Sequence, residues 1–219
     1  MKFSGIHLAF VLSLTLLAGC ATKKEKIKPP PPPPAAENYF SNPSRGQPMR
    51  RVAVLPLNAP QVPPETMREV TAAFNSELNK KALFEVAPVS QSELETMCGE
   101  RQLSSVEQIP GELPGKLRQK LGAEGVLLID ITHFNSYRPV SIGVRAKLID
   151  ISNGQIRWAF DYVFDAGHPA VAEAAKKFQV QYADQRQSIP DDGGSILLSP
   201  ARFSKYVAAQ TFASLQKGP

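Results

Sequence analysis

An α/β fold of the α+β type is predicted for residues 50–219, a mixed β-sheet with a C-terminal antiparallel hairpin, covered by helices in the order βαβααβββαα. Three observations predict it. The run Val126-Leu127-Leu128-Ile129-Asp130-Ile131 is apolar on both faces, as a central strand covered on both sides must be. Val140, Ile142, Val144, Ala146 and Leu148 alternate with Ser141, Gly143, Arg145 and Lys147; after Ser152-Asn153-Gly154, Ile156, Trp158, Phe160, Tyr162 and Phe164 alternate again. Asn-Gly between two alternating runs marks an antiparallel hairpin. Between the strands lie segments with apolar residues at steps of three and four, the period of an amphipathic helix.

Taken in order, Arg51-Val52-Ala53-Val54-Leu55-Pro56-Leu57 reads as a strand stopped by its proline and by Asn58-Ala59-Pro60. Pro63-Pro64-Glu65 opens a helix whose stripe is Met67, Val70, Phe74 and Leu78. Lys80 and Lys81 occupy its last turn, where cations interact favourably with the helix dipole. Phe84 to Val89 is a second, short strand. Ser90 and Glu93 fit a capping box, each side chain satisfying the other's exposed backbone amide, ahead of Leu94 and Met97. Leu113, Leu117 and Leu121 form a third helical stripe that stops at Gly122, a residue suited to the left-handed conformation that ends helices. The central strand and the hairpin follow. Pro169 begins an alanine-rich helix running to about Ala183; Ile189-Pro190-Asp191-Asp192-Gly193-Gly194 is a loop. Ser199-Pro200 then starts the last helix as cap and first residue, presenting Phe203 and Val207 for packing.

The residues before this domain divide into a targeting segment and a spacer. Residues 1–19 hold a basic start, an apolar run from Ile6 to Leu17 and small residues ahead of a cysteine, the plan of a cleaved signal peptide. The run is about a dozen residues, short of the roughly 20 that span a bilayer. Leu17-Ala18-Gly19-Cys20 resembles a bacterial lipoprotein signal, which implies cleavage between Gly19 and Cys20 and a diacylglycerol on the Cys20 thiol. Each buried methylene contributes about 0.8 kcal/mol and one acyl chain binds only reversibly, so two or three chains make a lasting anchor. Ala21 stands where inner-membrane retention signals of this kind have Asp, so the resemblance implies the outer membrane, with the domain facing the periplasm. Residues 20–49 read as a lipidated, lysine- and proline-rich linker. Pro29 to Pro34 lack amide donors and favour polyproline II, a rod of about 19 Å.

The net charge of +5 invites a nucleic-acid reading that its distribution removes. Lys2, Lys23, Lys24, Lys26 and Lys28 against Glu25 account for the excess and leave the rest of the chain at about +1, with no basic face of the kind nucleic acid needs. The lysines suit anionic headgroups beside the anchor. With Cys20 lipidated, Cys98 has no partner for a disulfide and reads as a buried thiol.

No constellation for catalysis, metal or cofactor emerges. His7 lies in the signal; His133 and His168 sit in no metal spacing. His133 reads as a residue at the rim of a strand. No nucleophile elbow and no phosphate loop is present. Asp191-Asp192-Gly193-Gly194 lacks the alternating oxygen ligands and closing glutamate of a calcium loop. Asp130, within an apolar run, needs a partner if buried, or lies at the strand's accessible end. Catalytic residues, metal ligands and cofactor are therefore all expected to be none, and an enzyme is not expected.

Several of these segments share an order with a known group. Arg51 to Leu57, the helix to Lys81, Phe84-Glu85-Val86, Gly122-Ala123-Glu124-Gly125-Val126 and Leu148-Ile149-Asp150-Ile151-Ser152-Asn153-Gly154-Gln155-Ile156-Arg157-Trp158 resemble the CsgG, LpoB and TolB N-terminal group of bacterial envelope domains. In those families a VAVLPF strand leads, GAD precedes a strand and a D..TG.I.W hairpin follows. The resemblance covers about residues 50–166 and implies a non-catalytic binding or scaffolding accessory in envelope assembly or export, with an envelope protein as partner. LpoB-like members activate a peptidoglycan synthase. CsgG-like members and the related PelC form rings, so the alternative is a homo-oligomeric export subunit. A periplasmic hydrolase built on Asp130 or His133 ranks below both.

Overall fold

The computed structural model describes residues 39–42, 48–182 and 193–216. Six strands form one mixed sheet, β1 (Tyr39–Ser41), β2 (Arg51–Val54), β3 (Glu85–Pro88), β4 (Gly125–Asn135), β5 (Ser141–Asp150) and β6 (Ile156–Asp165). Their spatial order is β1-β6-β5-β4-β2-β3. β2 runs parallel to both β3 and β4, while β4, β5, β6 and β1 pair antiparallel. The helices are α1 (Pro64–Lys81), α2 (Gln91–Cys98), α3 (Leu113–Leu121), α4 (Pro169–Tyr182) and α5 (Pro200–Thr211), with 3-10 turns at Gly194–Leu198 and Phe212–Ser214. Among the described residues, no helix is long and apolar enough to cross a membrane.

The expected central strand is central because both its faces are covered. From Gly125 to Ile131 every residue of β4 is buried. Leu127, Ile129 and Ile131 join the larger core with Val70, Phe74 and Leu78 of α1 and Phe203, Tyr206 and Val207 of α5. Val126 and Leu128 join a second core with Leu94 and Met97 of α2 and Leu113 and Leu117 of α3. The expected hairpin forms, with Leu148 opposite Trp158 and Val144 opposite Tyr162, while a register shift beyond Leu148 sets Ile156 opposite Ile149 and takes it out of the inward row. Its inward row stacks Trp158 on Phe160 and Phe160 on Phe164, with centroids 6.1 and 6.2 Å apart.

The helix ends follow local chemistry. Ser90 Oγ accepts from the Glu93 amide at 3.2 Å while Glu93 Oε2 accepts from the Ser90 amide at 2.7 Å, the reciprocal capping box. The Ser90 hydroxyl, which donates to Glu93 Oε2 at 2.6 Å, and then the Ser90 amide hold the Glu93 carboxyl below the usual carboxylate range. Gly122 closes α3 at φ +63°, and Ser199 Oγ caps α5 through the Arg202 amide at 3.4 Å.

One strand forms inside the expected linker. Tyr39, Phe40 and Ser41 pair with Phe160, Ala159 and Trp158, and the Asn42 amide continues the ladder to the Arg157 carbonyl at 3.0 Å. Three residues are too few to show a period, so this strand is specified by the β6 edge it meets. Residues 1–38, including Gly19, Cys20 and the proline run, lie outside the described residues, as do Asp191 and Asp192.

Candidate functional site

The helical layers cover the two sheet faces unequally. α1, α4 and α5 cover one face, while on the other α2 and α3 pack against residues of β2 and β4. Among the described residues, the second face of β5, β6 and β1 is left as an open ledge. Arg145 and Lys147 from β5 and Ala159, Asp161 and Val163 from β6 alternate with the core row and point onto it, with Phe40 beside Ala159; Ser141 and Gly143 share that face but are buried beside His133, and Asp130 of β4 lies opposite Arg145. Along the inner side of the ledge runs the loop between α2 and α3, which brings Val106 over the strands. Val106 is 62 % exposed, Phe40 and Val163 are each 49 % exposed and Ile156 is 41 % exposed.

Two shallow grooves share this surface. Phe40 and Val106 stand on either side of Lys147, Ala159 and Asp161, and Phe40 with Ile156 brackets Ala159. Arg145 is neutralised on the floor by its cross-strand neighbour, Nε to Asp161 Oδ2 at 2.7 Å. Lys147 Nζ donates instead to the Ser105 carbonyl at 2.6 Å, and among the described residues no carboxylate lies within ion-pair distance of it.

Asp130 holds the loop in place. It is 4 % exposed, and its carboxylate accepts from Asn58 Nδ2 at 3.0 Å, Ser104 Oγ at 3.1 Å, the Ser105 amide at 3.0 Å and Ser105 Oγ at 2.5 Å. A buried carboxylate so surrounded by donors is satisfied as an anion. Its partners are serines and an asparagine in place of the second carboxylate that acid-base chemistry needs. Asp130 is therefore a positioning residue for the loop that walls the ledge.

The histidines stay apart. His133 is exposed at the upper end of β4, and its Nε2 lies 2.8 Å from Ser141 Oγ. The close approach of strands there requires Gly143, because a Cβ would come within 2.6 Å of Thr132 Oγ1 and 3.0 Å of the His133 Cβ. His168 is exposed at the start of α4. Cys98 is half-buried, without a disulfide, and its Sγ donates to the Leu94 carbonyl at 3.3 Å. Among the described residues, no three His, Cys, Asp or Glu side chains converge as metal ligands. No motif in the sequence marks the ledge. Its signal was the polar half of the hairpin alternation, where Arg145 and Asp161 fall opposite one another once the strands are folded about Asn153-Gly154.

No protein-family model and no curated protein matches the chain. Among solved structures the chain is similar to the PelC dodecamer from Paraburkholderia phytofirmans at 15% identity and TM-score 0.47, covering 82% of this chain and 96% of that one. It is similar to lipoprotein GNA1162 from Neisseria meningitidis at 18% identity and TM-score 0.43, covering 61% of this chain and 98% of that one. Similarity to the LpoB C-terminal domain from Escherichia coli, at 16% identity and TM-score 0.37, covers 55% of this chain and 85% of that one.

Proposed function

We propose that this chain is an outer-membrane lipoprotein, anchored through diacylglycerol on Cys20, whose domain faces the periplasm and acts as a non-catalytic binding accessory in envelope assembly or export. The observation that carries the reading is Leu17-Ala18-Gly19-Cys20 closing a short apolar run behind Lys2. Only a cysteine directly after the cut supplies the thiol that takes the lipid. The open ledge supports the binding role, since it combines exposed Phe40, Val106, Ile156 and Val163 with charged groups on a rigid sheet. Residues 21–38 separate Cys20 from β1, a span of at most about 60 Å. The partner is therefore reached within tens of ångström of the membrane. Fractionation of cells producing the wild-type and Cys20→Ala chains tests the reading. The wild type sediments with outer membranes and the variant is released as a folded soluble protein; a variant that stays with the membrane contradicts the anchor.

A further inference from the structure

We infer that the turn between β4 and β5 is a membrane-contact tip, with the Tyr137 ring seated among the lipid headgroups of the membrane that holds the anchor and the Arg138 guanidinium on a headgroup phosphate. This contact rests on the anchor proposed above and goes beyond it in naming the end of the domain that faces the bilayer.

Strand direction selects the end. β1 is antiparallel to β6, with Tyr39 opposite Phe160 and Ser41 opposite Trp158. The N-terminus of β1, the side of the anchor, therefore points to the end toward which β6 runs. Asp165 closes β6 there, opposite Ser141, and Asn135 of β4 is the next partner of Ser141. The β4–β5 turn thus stands at the anchor's end of the sheet and the Asn153-Gly154 turn at the other. It also projects. β2 makes its last ladder pair with β4 at Val54 opposite Leu127, and the chain after it a single bridge at Asn58 opposite Asp130. β4 continues to Asn135, roughly 16 Å beyond that bridge at about 3.3 Å per residue.

Side-chain chemistry selects the occupant. Tyr137 is 82 % exposed, the most exposed large apolar side chain among the described residues, and Arg138 beside it is exposed. No acidic residue lies between Thr132 and Val140. Asp165, in the neighbouring turn, accepts from the Gly167 amide at 2.7 Å. An aromatic ring with a polar tip belongs at the headgroup level of a membrane, and a guanidinium holds a phosphate through two parallel bonds. A protein hot spot sits inside a ring of contacts that excludes water. Here the exposed neighbours are His133, Ser136 and His168, which suit a planar, hydrated interface instead. The tip is also held ready. The Tyr137 amide donates to Asn135 Oδ1 at 3.1 Å and Asn135 Nδ2 donates to the Pro139 carbonyl at 2.9 Å. Gly167 backs onto Pro139, where a Cβ would come within 3.1 Å of Pro139 Cγ. Little ordering is left to be paid on contact.

The test is quenching by a headgroup-nitroxide lipid. The lipidated chain is purified from membranes and reconstituted into vesicles of phosphatidylethanolamine and phosphatidylglycerol that contain the quencher. With Cys98→Ser removing the free thiol, a thiol-reactive fluorophore is placed on Ser136→Cys or, at the opposite end, on Gln155→Cys. The fluorophore at position 136 is expected to lose emission and the one at position 155 to keep it. Tyr137→Ser together with Arg138→Glu restores emission at position 136, and a larger share of phosphatidylglycerol deepens the loss. Equal quenching at the two positions, or quenching at position 136 that the paired substitution leaves unchanged, overturns the contact. An unquenched position 136 that crosslinks to a protein in native membranes assigns the tip to a protein and overturns it as well. All the substituted tip residues are exposed, so their variants keep the fold, which circular dichroism verifies. Flotation separates the two readings: a chain that does not float with the vesicles overturns the anchor and this contact with it, whereas a floating chain with position 136 unquenched overturns the contact alone.

Discussion

Replacing Asp130 with alanine removes the acceptor of four donors at once, the Asn58 amide group, the Ser104 and Ser105 hydroxyls and the Ser105 backbone amide. The four are not equivalent. Asn58 and Ser104 are half-exposed and can turn to water, whereas Ser105 is buried at 3 % exposure. Its amide and hydroxyl are left without acceptors, at about 1–3 kcal/mol each, so the expected loss of stability is about 2–6 kcal/mol. Asp130→Asn costs less, about 2 kcal/mol, because one acceptor oxygen survives while an amide faces the Ser105 donors. Urea unfolding followed by circular dichroism measures both, and hydrogen exchange at residues 103–107 shows the loop released from the sheet. A loss below about 1 kcal/mol for Asp130→Ala, or unchanged exchange in the loop, refutes the anchoring role.

Tyr206 is buried and its hydroxyl is the one buried side-chain polar atom among the described residues without a hydrogen-bond partner, so Tyr206→Phe raises the unfolding free energy by about 1 kcal/mol; a loss of stability contradicts this. Burial pushes its phenol up to about 12, while in the unfolded chain it ionises near 10. Above pH 10 the unfolded state loses a proton that the folded state keeps, so stability falls as pH rises toward 12, by about 1–3 kcal/mol from this group. Tyr206→Phe removes that share of the alkaline loss, measured as urea midpoints at pH 9 and 11.5. Gly193→Ala places a Cβ against the Lys176 carbonyl at φ +84°, and it lowers thermal stability by about 2 kcal/mol or more.

What was legible in the sequence is what short-range physics controls. The Ser90 capping box, the Gly122 stop, the Asn153-Gly154 hairpin and the doubly covered β4 each depend on residues within a few positions, and each forms as expected. Long-range pairing was not legible. Tyr39–Ser41 becomes a strand because the β6 edge receives it, and Asp130 finds its partners in Ser104 and Ser105 of a loop whose own composition announces nothing. The candidate surface was half legible, since the polar alternation of β5 and β6 marks a solvent-facing side. That none of the described helices covers this side depends on where α2 and α3 end, which is a property of the assembled fold.

The central claim is the anchor on Cys20, and the mass of the mature N-terminal peptide tests it most directly. Mass spectrometry of the protein purified from membranes is expected to show a peptide beginning at Cys20 and carrying diacylglycerol, with or without a further acyl chain on its amine. An unmodified Cys20, or a peptide that still contains Leu17-Ala18-Gly19, contradicts it.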